Sequence, residues 1–209
     1  MQDKLMQGSC TDFCDALAAR EPTPGGGGAA SYVGALAAAL CSMVGNYTTG
    51  KKAYVAVQDE IGKMLEEAEA SRIRLMELVD EDAEAFLPLS RAYAIPKDDP
   101  ERASTLEEAT KCACAAPLQM MREICGVVEL LEEMGKKGSR MLQSDVACGA
   151  LLARAALEAA SINVFVNTRT LTDRSFASAT EEEVDEMLVA YVPRAQACAD
   201  GIVAALRNR

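Results

Sequence analysis

The chain has 209 residues, enough for one domain with a sizeable core. Half of the residues are hydrophobic, yet 4% are aromatic and none is Trp, so the core must be built from Ala, Leu, Val, Met and Cys at close helix–helix spacing. A formal net charge of −11 excludes the basic footprint that nucleic acid and anionic membrane surfaces require, but not a small anionic ligand held by a local group of lysines.

Helical periodicity dominates, and no strand pattern competes with it. A first helix is expected over residues 5–19. Pro22-Thr23-Pro24-Gly25-Gly26-Gly27-Gly28 then empties into an uncharged Ala-rich helix, 28–49. Four glycines in a row suggest a flexible linker. A rigid Thr-Pro turn before them and a buried helix after them make a helix entry or a ligand-contacting turn the better reading, because glycine lets backbone N–H groups approach a ligand with no Cβ between. The apolar run 22–50 invites a membrane reading, but its Gly, Ala, Ser, Asn and Thr content fits a helix surrounded by other helices.

Gly45-Asn46-Tyr47-Thr48-Thr49-Gly50-Lys51-Lys52 nearly spells a phosphate-binding P-loop, but Lys52 stands where Ser or Thr must hold magnesium, and the preceding residues are helical. Gly25-x-Gly27-x-x-Ala30 imitates a dinucleotide fingerprint, again without a strand before it. A charged amphipathic helix follows over 54–93, interrupted near Pro88. Asp99 and Pro100 then read as the N-cap and first position of a helix reaching 134, kinked at Pro117. After a turn at 135–138 come a helix over 144–171 and a last one opened by a capping box at Thr180-Glu181-Glu182-Glu183, with Pro193 inside it. The expectation is an all-α, single-domain helical bundle of about six helices over residues 1–209, with the Ala/Gly-rich helix buried at its centre.

Eight cysteines and no histidine match no standard zinc spacing. They read as small hydrophobes, with no metal expected. Reduced thiols in a chain without a signal sequence point to the cytoplasm.

With no histidine, acid–base chemistry falls to carboxylates, Lys, Tyr or Cys. Most acidic residues fit a solvated face. Asp82 does not: it lies on the apolar stripe of Leu75, Leu78, Val79, Phe86 and Leu89, where a carboxylate acquires a raised pKa suited to a general base. A buried partner for a lysine or a helix end is the structural alternative. Asp145 follows Ser144 at a helix start, where capping competes with function. Asn163 and Asn167, four apart on an apolar helix, need buried partners or a ligand, as does Asn46 beside Ser42 and Thr49. Lys51 and Lys52 lie just beyond the helix carrying Asn46. Lys136 and Lys137 form a second cluster or a plain surface turn.

These blocks together resemble the folate cyclodeaminase/cyclohydrolase family. The resemblance rests on Pro22 to Gly27, Met43-Val44-Gly45-Asn46, Gly50-Lys51-Lys52, Val79 to Phe86 with Pro96-Lys97, Ser144-Asp145, Asn163-Val164 and Asn167. It covers most of the chain and departs at Gly28, where many members carry Ser. It implies an all-helical homodimer acting on a tetrahydrofolate derivative, with no cofactor beyond the folate. The chain has no formiminotransferase half and so looks like the free-standing type. Two reactions follow from the resemblance: hydrolysis of 5,10-methenyltetrahydrofolate, or cyclodeamination of its formimino counterpart. A non-catalytic folate- or partner-binding dimer is the rival of another class. The expected catalytic residues are Asp82 and Asp145, with Asp80 the competitor for the base. The expected substrate contacts are Pro24, Gly25, Gly26, Gly27, Asn46, Lys51, Lys52, Asn163 and Asn167.

Overall fold

The structure is a computed structural model that describes residues 4–208. Its described residues form helices and turns with no strand: α1 (Cys10–Ala18), α2 (Gly26–Thr48), α3 (Gln58–Tyr93), α4 (Arg102–Ala113), α5 (Ala115–Lys137), α6 (Gln143–Thr168) and α7 (Arg174–Arg207). Short 3-10 turns precede α1, α3 and α6. The one helix more than expected arises where the chain breaks at Cys114, dividing α4 from α5 just before Pro117, which sits in the first turn of α5 where a missing N–H is harmless.

Pro88, expected to interrupt its helix, lies inside a continuous α3, and Pro193 lies inside α7 as expected. Pro88 and Glu84 are both exposed, as are Pro193 and Val189, so the carbonyl each proline leaves unpaired faces water. The capping box expected at Thr180 is not formed. Thr180 lies inside α7 and donates to the Phe176 carbonyl at 2.9 Å. The cap is Asp173, which accepts from the Phe176 N–H at 3.0 Å. Likewise α4 opens at Arg102, and Asp99 accepts from the Glu101 N–H at 2.9 Å in the turn before it.

Helix α2 packs against α3, α5 and α6, and small residues set the spacing. A Cβ on Gly34 would stand 2.9 Å from Ile124 Cγ1, and one on Gly149 2.8 Å from Leu131 Cδ2. The core behind them is aliphatic and sulfur-rich: Ile61, Leu75, Leu78, Met120, Met121, Ile124, Leu131, Met134 and Leu157 are fully buried. Cys41, Cys114 and Cys125 join the buried set, whereas Cys148 is exposed on α6. Helices α2 and α6 are long and apolar enough to cross a membrane, and 56% and 44% of their most apolar windows lie inside the bundle. The expectation that α2 is surrounded is thus half met: its other side faces outward.

Helix α2 stops at Gly50, the one described residue with a positive φ (74°), and the Gly50 N–H donates to Gln58 Oε1 at 2.8 Å. The P-loop look-alike is therefore a helix C-terminus closed by a left-handed glycine.

Candidate active site

Where α2 begins, its first turn has no side-chain cap, and Gly25 at the N-cap is extended (φ −129°). The glycines are needed here for space, not for unusual dihedrals. A Cβ on Gly27 would lie 2.5 Å from Asp82 Oδ2 and 2.8 Å from Oδ1. The carboxylate thus rests on bare helix backbone. A Cβ on Gly28 would meet only Pro24 and Val79, both at an ordinary 3.5 Å.

Helix α3 delivers Asp82 as its periodicity requires. Leu75, Leu78, Val79 and Leu89 are buried on the same stripe, and the Ser31 hydroxyl ties α2 to α3 by donating to the Leu75 carbonyl at 2.5 Å. Burial pushes the Asp82 carboxyl up to about 6, against a smaller downward pull from the Gly28 backbone N–H. Its neighbours on α3 are otherwise occupied. Asp80 accepts from the Leu5 N–H at 2.7 Å, pinning the segment before α1. Glu81 pairs with Arg74, whose Nη2 lies 2.9 Å from Glu81 Oε2. Helical phase and contacts both single out Asp82.

The third wall comes from the C-terminal half of α6. Asn163 donates to the Ala159 carbonyl at 2.9 Å and Asn167 to the Ala113 carbonyl at 3.1 Å. Each amide spends one of its two N–H donors on backbone, which leaves the other N–H and the amide oxygen to meet a ligand. The Asn163 oxygen lies 3.4 Å from where a Gly26 Cβ would stand. The resulting cavity holds about 160 Å³ between Gly25, Gly26, Gly27, Asp82, Asn163 and Asn167. Pro22, Thr23, Phe86, Ala113, Pro117 and Val166 complete its lining.

Of the residues expected at the site, Asp82, the three glycines and the two asparagines converge. Pro24 does not line the cavity; it is buried behind the turn, beside Gly28. Asn46, Lys51 and Lys52 are at the opposite end of α2, about 30 Å away by helix rise. Asp145 is in the first turn of α6, about 27 Å along the axis from Asn163. Within one protomer, then, neither Asp145 nor the lysines reach the Asp82 pocket. Lys51 donates instead to Ser139 Oγ at 3.2 Å. Lys136 and Lys137 border a wider cavity of about 720 Å³ at that end but are tied to Glu133 at 2.7 and 2.8 Å. Ala113, Pro117 and Val166 were not foreseen, since only the α4–α5 break and the end of α6 bring them together; the helix-breaking signal at Pro117 was the one available hint.

A largely desolvated carboxylate, bare helix backbone and two amides surround one small cavity, an arrangement able to exchange a proton with a ligand held there. The family model for formiminotransferase-cyclodeaminase matches residues 9–186. This chain belongs to the formiminotransferase-cyclodeaminase family. Among its relatives, methenyltetrahydrofolate cyclohydrolase of Methylorubrum extorquens is 42% identical over 84% of this chain and 86% of its own length. Mouse formimidoyltransferase-cyclodeaminase is 31% identical over 90% of this chain, which spans 35% of that protein's length. The crystal structure of formiminotetrahydrofolate cyclodeaminase from Thermotoga maritima superposes with a TM-score of 0.84 at 33% identity, covering 95% of this chain and 99% of that one. The all-helical architecture is that of the family.

Proposed function

We propose that the chain is a methenyltetrahydrofolate cyclohydrolase that adds water to 5,10-methenyltetrahydrofolate to give 10-formyltetrahydrofolate. The observation that carries this reading is Asp82, a largely buried carboxylate lying against the open N-terminus of α2, in a chain 42% identical to a cyclohydrolase over most of both lengths. With its carboxyl at about 6, Asp82 is mostly ionised at neutral pH yet holds a proton well enough to return it.

In the proposed sequence Asp82 takes one proton from water as its oxygen bonds to the bridging carbon. The adduct then collapses: the hydroxyl becomes a carbonyl and releases its proton, and the carbon–N5 bond breaks. N5 leaves with the proton that Asp82 returns. The balance is one water consumed and one proton released. The α2 N–H groups favour the carboxylate form of Asp82, and the amide oxygens of Asn163 and Asn167 accept from pterin N–H donors. No cofactor beyond the folate enters these steps. A cytoplasmic homodimer is part of the same reading.

Formiminotetrahydrofolate cyclodeamination is the second reading, favoured by the Thermotoga likeness and using the same base. The test follows loss of the near-ultraviolet absorbance of 5,10-methenyltetrahydrofolate, with Asp82→Asn as control. Loss above the buffer rate, abolished in the variant, is the expected result. No acceleration, with ammonia released from the formimino substrate, transfers the assignment to cyclodeamination. Folate binding without either turnover leaves a binding protein.

A further inference from the structure

The Asp82 cavity holds about 160 Å³, well below the ~300–1,000 Å³ of small-molecule sites, so a wall gives way when a ligand of that class enters. Most of its walls are fixed in the main core, where Ala30 of α2, Leu78 of α3, Met120 of α5, and Ala160 and Val164 of α6 share one apolar cluster. The wall made by Phe86 and Ala113 belongs to another. Leu89, Ala92, Ala109 and Ala113 are buried together there, with Phe86, Ile95 and Leu106 packed on them. Three of the four buried members are alanine, so this second cluster hides little apolar surface.

The chain carrying that cluster is bounded by two weak joints. Pro88 has no N–H to give to the Glu84 carbonyl, so one rung of α3 is missing there. At Cys114 α4 ends and α5 begins. Between the joints α4 packs chiefly on α3, and Arg102 closes the unit by donating from Nε to the Ile95 carbonyl at 2.8 Å. What ties the unit to the rest is largely polar and near the surface. The Glu107 carboxylate accepts from the Thr172 N–H at 2.8 Å, the Thr172 hydroxyl at 2.9 Å and the Asp173 N–H at 2.8 Å. Lys111 reaches Asp173 Oδ2 at 2.7 Å and lies over the Phe176 ring. Water replaces such bonds at little cost. A further tie lies inside the pocket, where the Asn167 amide donates to the Ala113 carbonyl at 3.1 Å. Parting that bond leaves both N–H donors of Asn167 to a ligand.

We infer that residues 88–113 form a lid over the Asp82 pocket, hinged at Pro88 and Cys114 and latched to the turn before α7 by Glu107, and that its opening transfers Asn167 from the Ala113 carbonyl to the ligand. The inference rests on the folate reading of that pocket, so it is tested with and without turnover. Hydrogen exchange needs no substrate. Amides of residues 89–113 should exchange as a set, and Glu107→Ala and Asn167→Ala should each speed that set about tenfold while α5 and the first half of α3 keep their rates. Arg154→Ala, which removes an ion pair between turns of α6, should leave the set unchanged. Exchange in 89–113 that neither lid variant moves overturns the lid.

Turnover is tested by locking the latch. In a chain whose exposed Cys10, Cys14, Cys112 and Cys148 are replaced by serine, Glu107→Cys and Thr172→Cys are joined by a short bis-methanethiosulfonate. Joining should lower turnover of 5,10-methenyltetrahydrofolate by roughly 20-fold or more, and reduction with dithiothreitol should restore it, because a lid that cannot open neither admits substrate nor releases product. The same linker across Arg122→Cys and Glu183→Cys, which bridges α5 and α7 outside the lid, should leave turnover within about twofold. A joined lid that turns over as fast as the reduced one overturns the gating. If the parent acts on neither folate, the reading of the pocket fails, while hydrogen exchange still decides the lid.

Discussion

The two ends of the α2/α6 pair carry equally suggestive residues and differ in physics. At the glycine end, Asp82 is largely desolvated against backbone, and two asparagines line the same cavity, each with one amide N–H bonded to backbone. At the lysine end, Asn46 and Lys52 are exposed and Lys51 is held by Ser139. Chemical character comes from desolvation and convergence, which the first end has within one chain and the second does not. A polar residue on an apolar helix earns a functional reading when its neighbours remove water from it.

Removing the carboxylate gives the largest expected effect on that contrast. Asp82→Asn should lower turnover about 10³-fold, within the range for a positioned acid–base group. The same change should raise stability. An acid held at about 6 in the fold, against an ordinary value of 3.8, binds its proton more tightly folded than unfolded. Native stability therefore falls as pH climbs from about 4 through about 6, and the cost remains above that. Thermal unfolding at pH 8 should show Asp82→Asn more stable by on the order of 2 kcal/mol, with the gain gone by pH 4. Equal stability of the two proteins at pH 8 would remove the desolvation argument.

Next in size is a single methyl group. Gly27→Ala, whose Cβ would overlap the Asp82 carboxylate, should cost about 100-fold in turnover through misplacement of the base. Gly28→Ala, one residue on, should stay within about twofold and gain slightly in helix stability. Similar effects of the two would mean that the glycine run serves backbone entry alone. A smaller effect belongs to pH: kcat/KM should rise with pH along an acid limb centred near 6 and level off above it. A limb near 4 would point to an exposed carboxylate. The smallest effect tests the neighbour on α3. Asp80→Asn weakens the bond to the Leu5 N–H and should cost about 1 kcal/mol of stability with turnover within twofold. A collapse of turnover there would transfer the base to Asp80.

The bundle was legible because helical period and turn residues act locally. The Ala-rich helix, the long charged helix and the break at Pro96 to Pro100 all stand close to where they were expected. Helix boundaries near proline and at caps were less legible, since whether Pro88 breaks a helix depends on whether the orphaned carbonyl can reach water, and Asp173 displaces Thr180 as a cap through the exact course of the preceding turn. Asp82 was legible because a carboxylate on an apolar stripe breaks a pattern. Pro24 and Val166 were misjudged or missed because neither breaks one.

The sequence by itself determined the helical class, the close Ala/Gly packing and the one carboxylate whose phase points it inward, since each follows from residue type and spacing along one helix. Only the tertiary structure decided that Asp82 lies on Gly27 and that Asn163 and Asn167 join it. Those relations join groups on α2, α3 and α6, and distance between helices is set by packing, which no periodicity encodes.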